Sequence, residues 1–401
     1  MLVSVGGSQV WLFAQVWLAH TMNRSTLFLG YVGLANAIPS IVLNLFGGVF
    51  ADRLDRRRLL MVTQTSSGLL LVLMAVLVHI GAAQPWHLLA ISFSTGAVNA
   101  FDQPARQALL PDLVERKAMM SAMALQGLVW QGTRIVGPAI GGLIIVWWGN
   151  AAALYVSAAG YFVMLAVLVQ LDLPKIEVRR QTGAARDIVD GLLFIKSNSV
   201  FSFLIAMTFF NSFFGMSYVW LMPIFAQDIL KVGASGQGML LSMVGAGGLL
   251  ISLLLSVTGK LPRPTLFIVG GAMITGLSLT AFAITADRIG SFPLAMVLMF
   301  AMGLSSTAYM TGVRTSLQIL VPRDMLGRVM GFYGMTWSLT PLGGMEAAFV
   351  SGIIGAPIAI AIGGVAVAAF AAGPGLLNRR VRGLGTEIQR AQAGVNSPGK
   401  W

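Results

Sequence analysis

The chain has 401 residues, of which 56% are hydrophobic and only 10% charged. A soluble domain carries roughly 25% charged residues, so there is too little polar surface here to coat a water-soluble particle; mean hydropathy is +0.81. The net charge of +12 would suggest nucleic acid in a soluble protein, but membrane proteins collect Lys and Arg in cytoplasmic loops, and no nucleic-acid partner is expected.

No cleavable leader is visible, and the apolar stretch 2–19 can act as its own insertion signal. Apolar runs bounded by charges or turn residues predict spans at 3–20, 27–50, 59–80, 86–101, 122–147 and 151–171. A second set falls at 200–224, 238–257, 265–286, 292–313, 329–350 and 354–372. The predicted organisation is an all-α membrane protein of about twelve helices. A six-helix bundle at 1–171 is followed by a cytoplasmic linker at 172–199, a second bundle at 200–373 and a basic cytoplasmic tail at 374–401. Within the linker, Ile188, Leu192, Leu193 and Ile195 alternate with charges and suggest a short amphipathic helix on the membrane surface.

Counting Lys and Arg by side tests this topology. With the C-terminus inside, 22 of the 26 fall on the cytoplasmic side, Arg106 and Arg116 among them. Only Arg24, Lys231 and Arg288 fall outside, and Arg134 lies within a helix. That asymmetry obeys the positive-inside rule. Gln107 to Pro111, with Arg116 behind, recurs as Gln318 to Pro322, with Arg328 behind, at the same place in the second set. Two parallel halves follow from it.

Cysteine is absent, which removes disulfides, thiolate metal sites and Cys nucleophiles together. No HExxH, GxSxG or acidic metal cluster offers an enzyme's machinery. Gly259-Lys260 and Gly399-Lys400 are followed by Leu and Trp, not Ser or Thr, so no phosphate loop drives an ATP pump. No cofactor or metal is expected. The class left is a secondary transporter for a small molecule.

Three segments carry more. After the second span stand Gly48, Asp52, Arg53, Asp55, Arg56 and Arg57. In the fifth, Gly132, Arg134, Gly137, Pro138, Gly141 and Gly142 share one helix, where glycines allow close approach and Pro138 frees a carbonyl. The third is Phe101-Asp102-Gln103-Pro104-Ala105-Arg106, with Leu110-Pro111-Asp112 behind it.

The first resembles the signature loop of the major facilitator superfamily, departing at Asp55 where glycine is usual. The second is similar to that superfamily's antiporter signature. The third, with Gly327-Arg328 and Pro341-Leu342-Gly343, resembles the branch of enterobactin exporters and macrolide-efflux-like permeases. The resemblance runs from the first helix to the twelfth. It departs at the start, where the chain begins inside the first helix; an incomplete or misassigned start would explain that. The resemblance implies alternating access by two rocking bundles, with Gly48, Asp52, Arg53, Arg56 and Arg57 as conformational gate. It implies export of an apolar or amphipathic compound, drug, macrolide or siderophore-like, in exchange for protons. A monomer in the bacterial cytoplasmic membrane is expected. An uptake carrier and a transport-inactive or lipid-handling relative share this scaffold and remain as alternatives.

Charges inside spans are functional candidates by default: Arg134 in the fifth, Glu346 in the eleventh, and Asp102, which could simply cap the fourth. Glu346 is the deep acid nominated to meet Arg134. His20, His79 and His87 map to outer helix ends as interfacial anchors. Trp11, Trp17, Trp130, Phe209, Phe213, Phe214 and Trp220 could line an apolar cavity, although packing accounts for any one of them.

Overall fold

The computed structural model describes residues 2–53, 55–113, 118–171, 184–258, 264–337, 339–377 and 383–386, and all its regular elements there are helical. Helices satisfy their own backbone groups, which a bilayer demands. The first four crossings are α1 (Leu2–Met22), α2 (Thr26–Arg53), α3 (Arg56–His79) and α4 (Pro85–Leu113). The 52-residue α5 (Met119–Gln170) holds two crossings, broken at Gly149, where φ is 81° and ψ is 175°. An L side chain would be strained there.

The surface helix α6 (Ala184–Ser197) leads into a composite seventh crossing. Its regular pieces are α7 (Ser199–Phe210) and α8 (Tyr218–Pro223), with wide π turns at Asn211–Gly215 and Ile224–Ile229. Then come α9 (Gly233–Thr258), α10 (Pro264–Arg288) and α11 (Phe292–Leu320). The eleventh crossing is broken into α12 (Arg323–Trp337) and α13 (Thr340–Ile354), and α14 (Ala356–Leu377) is the twelfth.

Three predicted spans need correction. The fourth ends at Leu113, not Phe101, so Gln107 to Pro111 is helix, not loop. The tenth runs on to Leu320, so Gln318 to Leu320 is helix as well. The eleventh begins at Arg323 and is interrupted before Thr340. Neither α4 nor the α12–α13 pair is among the nine described stretches apolar enough to read as crossings. α4 carries charges that hydropathy penalises one at a time, and the break leaves α12 and α13 only 15 residues each.

Three apolar cores fix the shape. The largest joins both halves: Trp11, Trp17, Leu29 and Leu154 pack in it with Trp220, Phe225, Phe282 and Ala348. These residues lie toward the end of the bundle that carries His20, His79 and Arg288, here the far end. At the opposite, basic end the cores separate. Leu60, Ala105, Leu109 and Leu168 belong wholly to the first half. Phe201, Tyr309, Leu317, Val321 and Val329 belong wholly to the second. Among the described residues, the cores are therefore shared at the far end and separate at the basic end.

Candidate functional site: a cavity between the halves

A partly open cavity lies where α1, α5, α8 and α9 meet. Its polar lining is Gln9, Arg134, Tyr218 and Gln237; Leu12, Phe13, Val16, Leu241 and Val244 make it otherwise apolar. Arg134 carries the one charge among those residues, and no hydrogen bond or ion pair holds it among the described residues. Gln237 is 1% exposed, and neither atom of its amide has a partner. Buried polar groups normally find one.

The glycine motif of α5 builds one wall of this cavity, and it does so on two sides. A Cβ on Gly137 would lie 2.6 Å from the Gln9 Cβ, and one on Gly141 would lie 2.9 Å from Phe13, so both press α5 against α1. Gly142 faces the other half, 2.6 Å from the Ala234 carbonyl. From α9, Gly238 meets the Pro138 carbonyl and Gly245 meets Ile135, each at 2.5 Å. The Ser242 hydroxyl donates to the Ile135 carbonyl at 2.6 Å, one residue from where Pro138 leaves α5 short of a donor. A Cβ on Gly132 would meet nothing within 4 Å. Across the bundle, Gly30 and Gly33 of α2 pack on Ala348 and the Pro341 carbonyl, so a second seam joins α2 to the α13 side.

Asp102 does not cap its helix. It sits inside the first half, where its two oxygens take four hydrogen bonds. Thr63 Oγ1 donates at 2.8 Å and Gln64 Nε2 at 2.6 Å. Arg106 Nε and Nη2 donate at 3.1 and 2.9 Å. Ser4 closes the network, donating to Gln64 Oε1 at 2.9 Å and accepting from Arg106 Nη2 at 3.3 Å. Arg106, counted above as a loop cation, is thus a buried one, four residues along α4 from its acid. Three helices meet in this network.

At the predicted gate, Gly48, Asp52 and Arg53 fall in the last turns of α2, and their side chains lie outside the described residues. Arg56 opens α3. Arg57 donates from Nε and Nη2 to the carbonyls of Leu168 and Val169 at 2.7 and 2.9 Å, capping the C-terminus of α5 at the basic end. Asp55, where the pattern has glycine, N-caps α3 by accepting from the Arg58 amide at 3.1 Å.

Glu346 is half-buried on α13 and is not part of the Arg134 cavity; no ion pair joins it to Arg134. Nor do the aromatics line that cavity. Trp11, Trp17 and Trp220 are buried in the shared core, and Phe209, Phe213 and Phe214 stack among themselves and with Phe210. His20 is no surface anchor either: its side chain is 3% exposed, and its Nε2 stands 3.1 Å from Asp228, pairing the two halves at the far end. His79 lies edge-on to Tyr155, and His87 tilts against Trp86.

Sequence reading missed Gln237, Gln9 and Arg106. Gln237 fell one residue before a predicted span; its signal was an amide flanked by Gly236 and Gly238, where the chain comes close to a neighbour.

Helical crossings in two halves, with glycine seams beside this cavity, are the architecture of the major facilitator superfamily, and the chain's family and relatives are transporters, not enzymes. The chain belongs to the family of transmembrane secretion effectors, whose sequence pattern matches residues 1–396. It is 24% identical over 377 residues, 91% of each chain, to the staphyloferrin A transporter of Staphylococcus aureus. The multidrug efflux pump Tap of Mycolicibacterium fortuitum is 25% identical, covering 85% of each. The enterobactin exporter EntS of Shigella flexneri is 23% identical over 80% of this chain and 72% of its own. Among solved structures, a bacterial homologue of the lysosomal transporter Spinster superposes with a TM-score of 0.72 at 14% identity, covering 97% and 95%. A D-xylose–proton symporter does so at 0.69 and 13%, covering 92% and 96%. At those identities the likeness speaks for the fold.

Proposed function

We propose that this transporter exports a small apolar or amphipathic compound by alternating access, in exchange for protons, with its basic end in the cytoplasm of a bacterium. The observation that carries the reading is the division of the cores: shared at the far end, separate at the basic end. That arrangement suits a carrier loading from the basic side, and rocking about the α5–α9 and α2–α13 seams would reverse it. Two relatives named for export or efflux support the direction. The charge asymmetry supports the orientation and a cytoplasmic C-terminus.

In this scheme Gly48, Asp52 and Arg53, with Arg56 and Arg57, latch the basic end shut in the alternate state. Glu346, the half-buried carboxyl of α13, is the group to which we assign the proton. Efflux from proteoliposomes with and without an imposed pH gradient tests both claims. Wild-type efflux should follow the gradient, and Glu346→Gln should uncouple it; gradient-independent wild-type efflux overturns exchange, and uptake overturns export. No flux of any compound would favour the inactive-relative reading. Because the chain has no cysteine, impermeant labelling of intact cells tests orientation cleanly: Arg288→Cys should react and Lys260→Cys should not.

A further inference from the structure

Other charges inside the bundle's first half have partners, with Arg106 Nη1 left over. Asp102 has Arg106, and Arg57 has two carbonyls. Arg134 has neither. It sits midway along its crossing, in a cavity whose lining offers no acid. A cation at membrane depth costs about 2.5–3.5 kcal/mol even on lenient scales, and such residues are kept where they pair or face water. Gln237 poses the same question from α9. Its amide is buried and wholly unpartnered, and it lines the same cavity nearer the far end. Two unanswered polar groups, one a planar cation and one a neutral amide, stand in a chamber whose remaining lining, apart from Gln9 and Tyr218, is apolar.

We propose that the cavity binds an organic anion, with the Arg134 guanidinium taking a carboxylate and the Gln237 amide taking a neutral polar group farther along the same molecule. This rests on the carrier reading above and adds a substrate class to it. Guanidinium and carboxylate match as planar forks, and two parallel N–H···O bonds formed away from water are stronger than neutral ones. Leu12, Phe13, Leu241 and Val244 would cover the apolar body between the two polar ends. Because Arg134 belongs to the first half and Gln237 to the second, a molecule of that length touches both rocking units at once. Its binding is then felt across the seam that must move.

The test is binding, separate from flux. The purified full-length chain is heated with matched pairs that differ only in the acid: dansylglycine against dansylglycinamide, and cholate against cholamide. At least one acid should stabilise the wild type with an affinity tenfold or more above that of its amide. Arg134→Gln should erase the preference, Arg134→Lys should keep part of it, and Gln237→Leu should weaken acid and amide by a similar factor. An unliganded melting temperature close to wild type certifies each variant; should Arg134→Gln fail it, the loss or retention of preference in Arg134→Lys and Gln237→Leu decides. If no acid outdoes its amide, or if the preference survives Arg134→Gln, the anion site is wrong. The carrier reading fails differently: acid binding without flux of any compound would sink that reading alone, and flux of neutral compounds without acid preference would sink only this one.

Discussion

Asp102 and Arg106 illustrate how a charge survives inside a membrane bundle. Each is about 8% exposed, and two hydrogen bonds join them, with Arg106 Nη1 left without a partner. Breaking such a pair from one side strands the remaining charge, which costs about 3–5 kcal/mol, whereas replacing both partners by apolar groups is often nearly neutral. Arg106→Met should therefore lower the melting temperature of the purified protein sharply, and adding Asp102→Leu should recover much of it. A double variant no better than the single would mean that Thr63, Gln64 and Ser4, not the arginine, hold the acid. At the far end, Asp228→Asn removes the carboxylate that pairs His20 and should raise the reactivity of a cysteine placed at Trp220 toward an external reagent; unchanged reactivity would show that the apolar core alone keeps that end shut.

At the scale of helices, the α5 glycines divide their labour. Gly137 and Gly141 hold α1, within one half; Gly142, with Gly238 and Gly245 from α9, makes the surface along which the halves turn. Gly238→Leu would drive a side chain into the Pro138 carbonyl, and overpacking has no slack to absorb it. Flux should fall to background at normal membrane levels. Gly132→Leu meets open space and should transport as wild type does. Equal losses in both would place the seam elsewhere. Much of this was legible beforehand, because a bilayer demands long apolar runs and close helices demand glycine. What was not legible is what only three dimensions decide. Hydropathy scores Asp102 and Arg106 separately, so the last turns of α4 read as loop. Spacing alone cannot say which neighbour Gly137 or Gly142 meets. The turns of the seventh crossing and the break before α13 leave no periodic signature, since π turns and helix breaks change the register that a periodicity search assumes.

For the whole molecule, alternating access as proposed above makes one core at the far end against two at the basic end a single state of two, and locking that state should stop transport. Gly30 and Ala348 bring α2 and α13 together: a Cβ on Gly30 would lie 3.0 Å from that of Ala348, a little inside the roughly 3.5–4.5 Å of a disulfide. Gly30→Cys with Ala348→Cys should cross-link on oxidation and abolish flux, and reductant should restore it. Cross-linked protein that still transports would show that the far end need not open for turnover.

The seventh crossing sets how much must move for that end to open. Its six-residue middle, α8, lies between two π turns, and it carries Trp220, whose indole sits against Gly33 of α2 and Gly344 of α13. Wide turns hold an extra residue per turn and yield more readily than α-helix. A segment jointed at both ends can withdraw while the helices around it keep their places. Drawing that indole from its slot costs about 3–5 kcal/mol by the measure of truncated buried aromatics, one part of the work of opening that end.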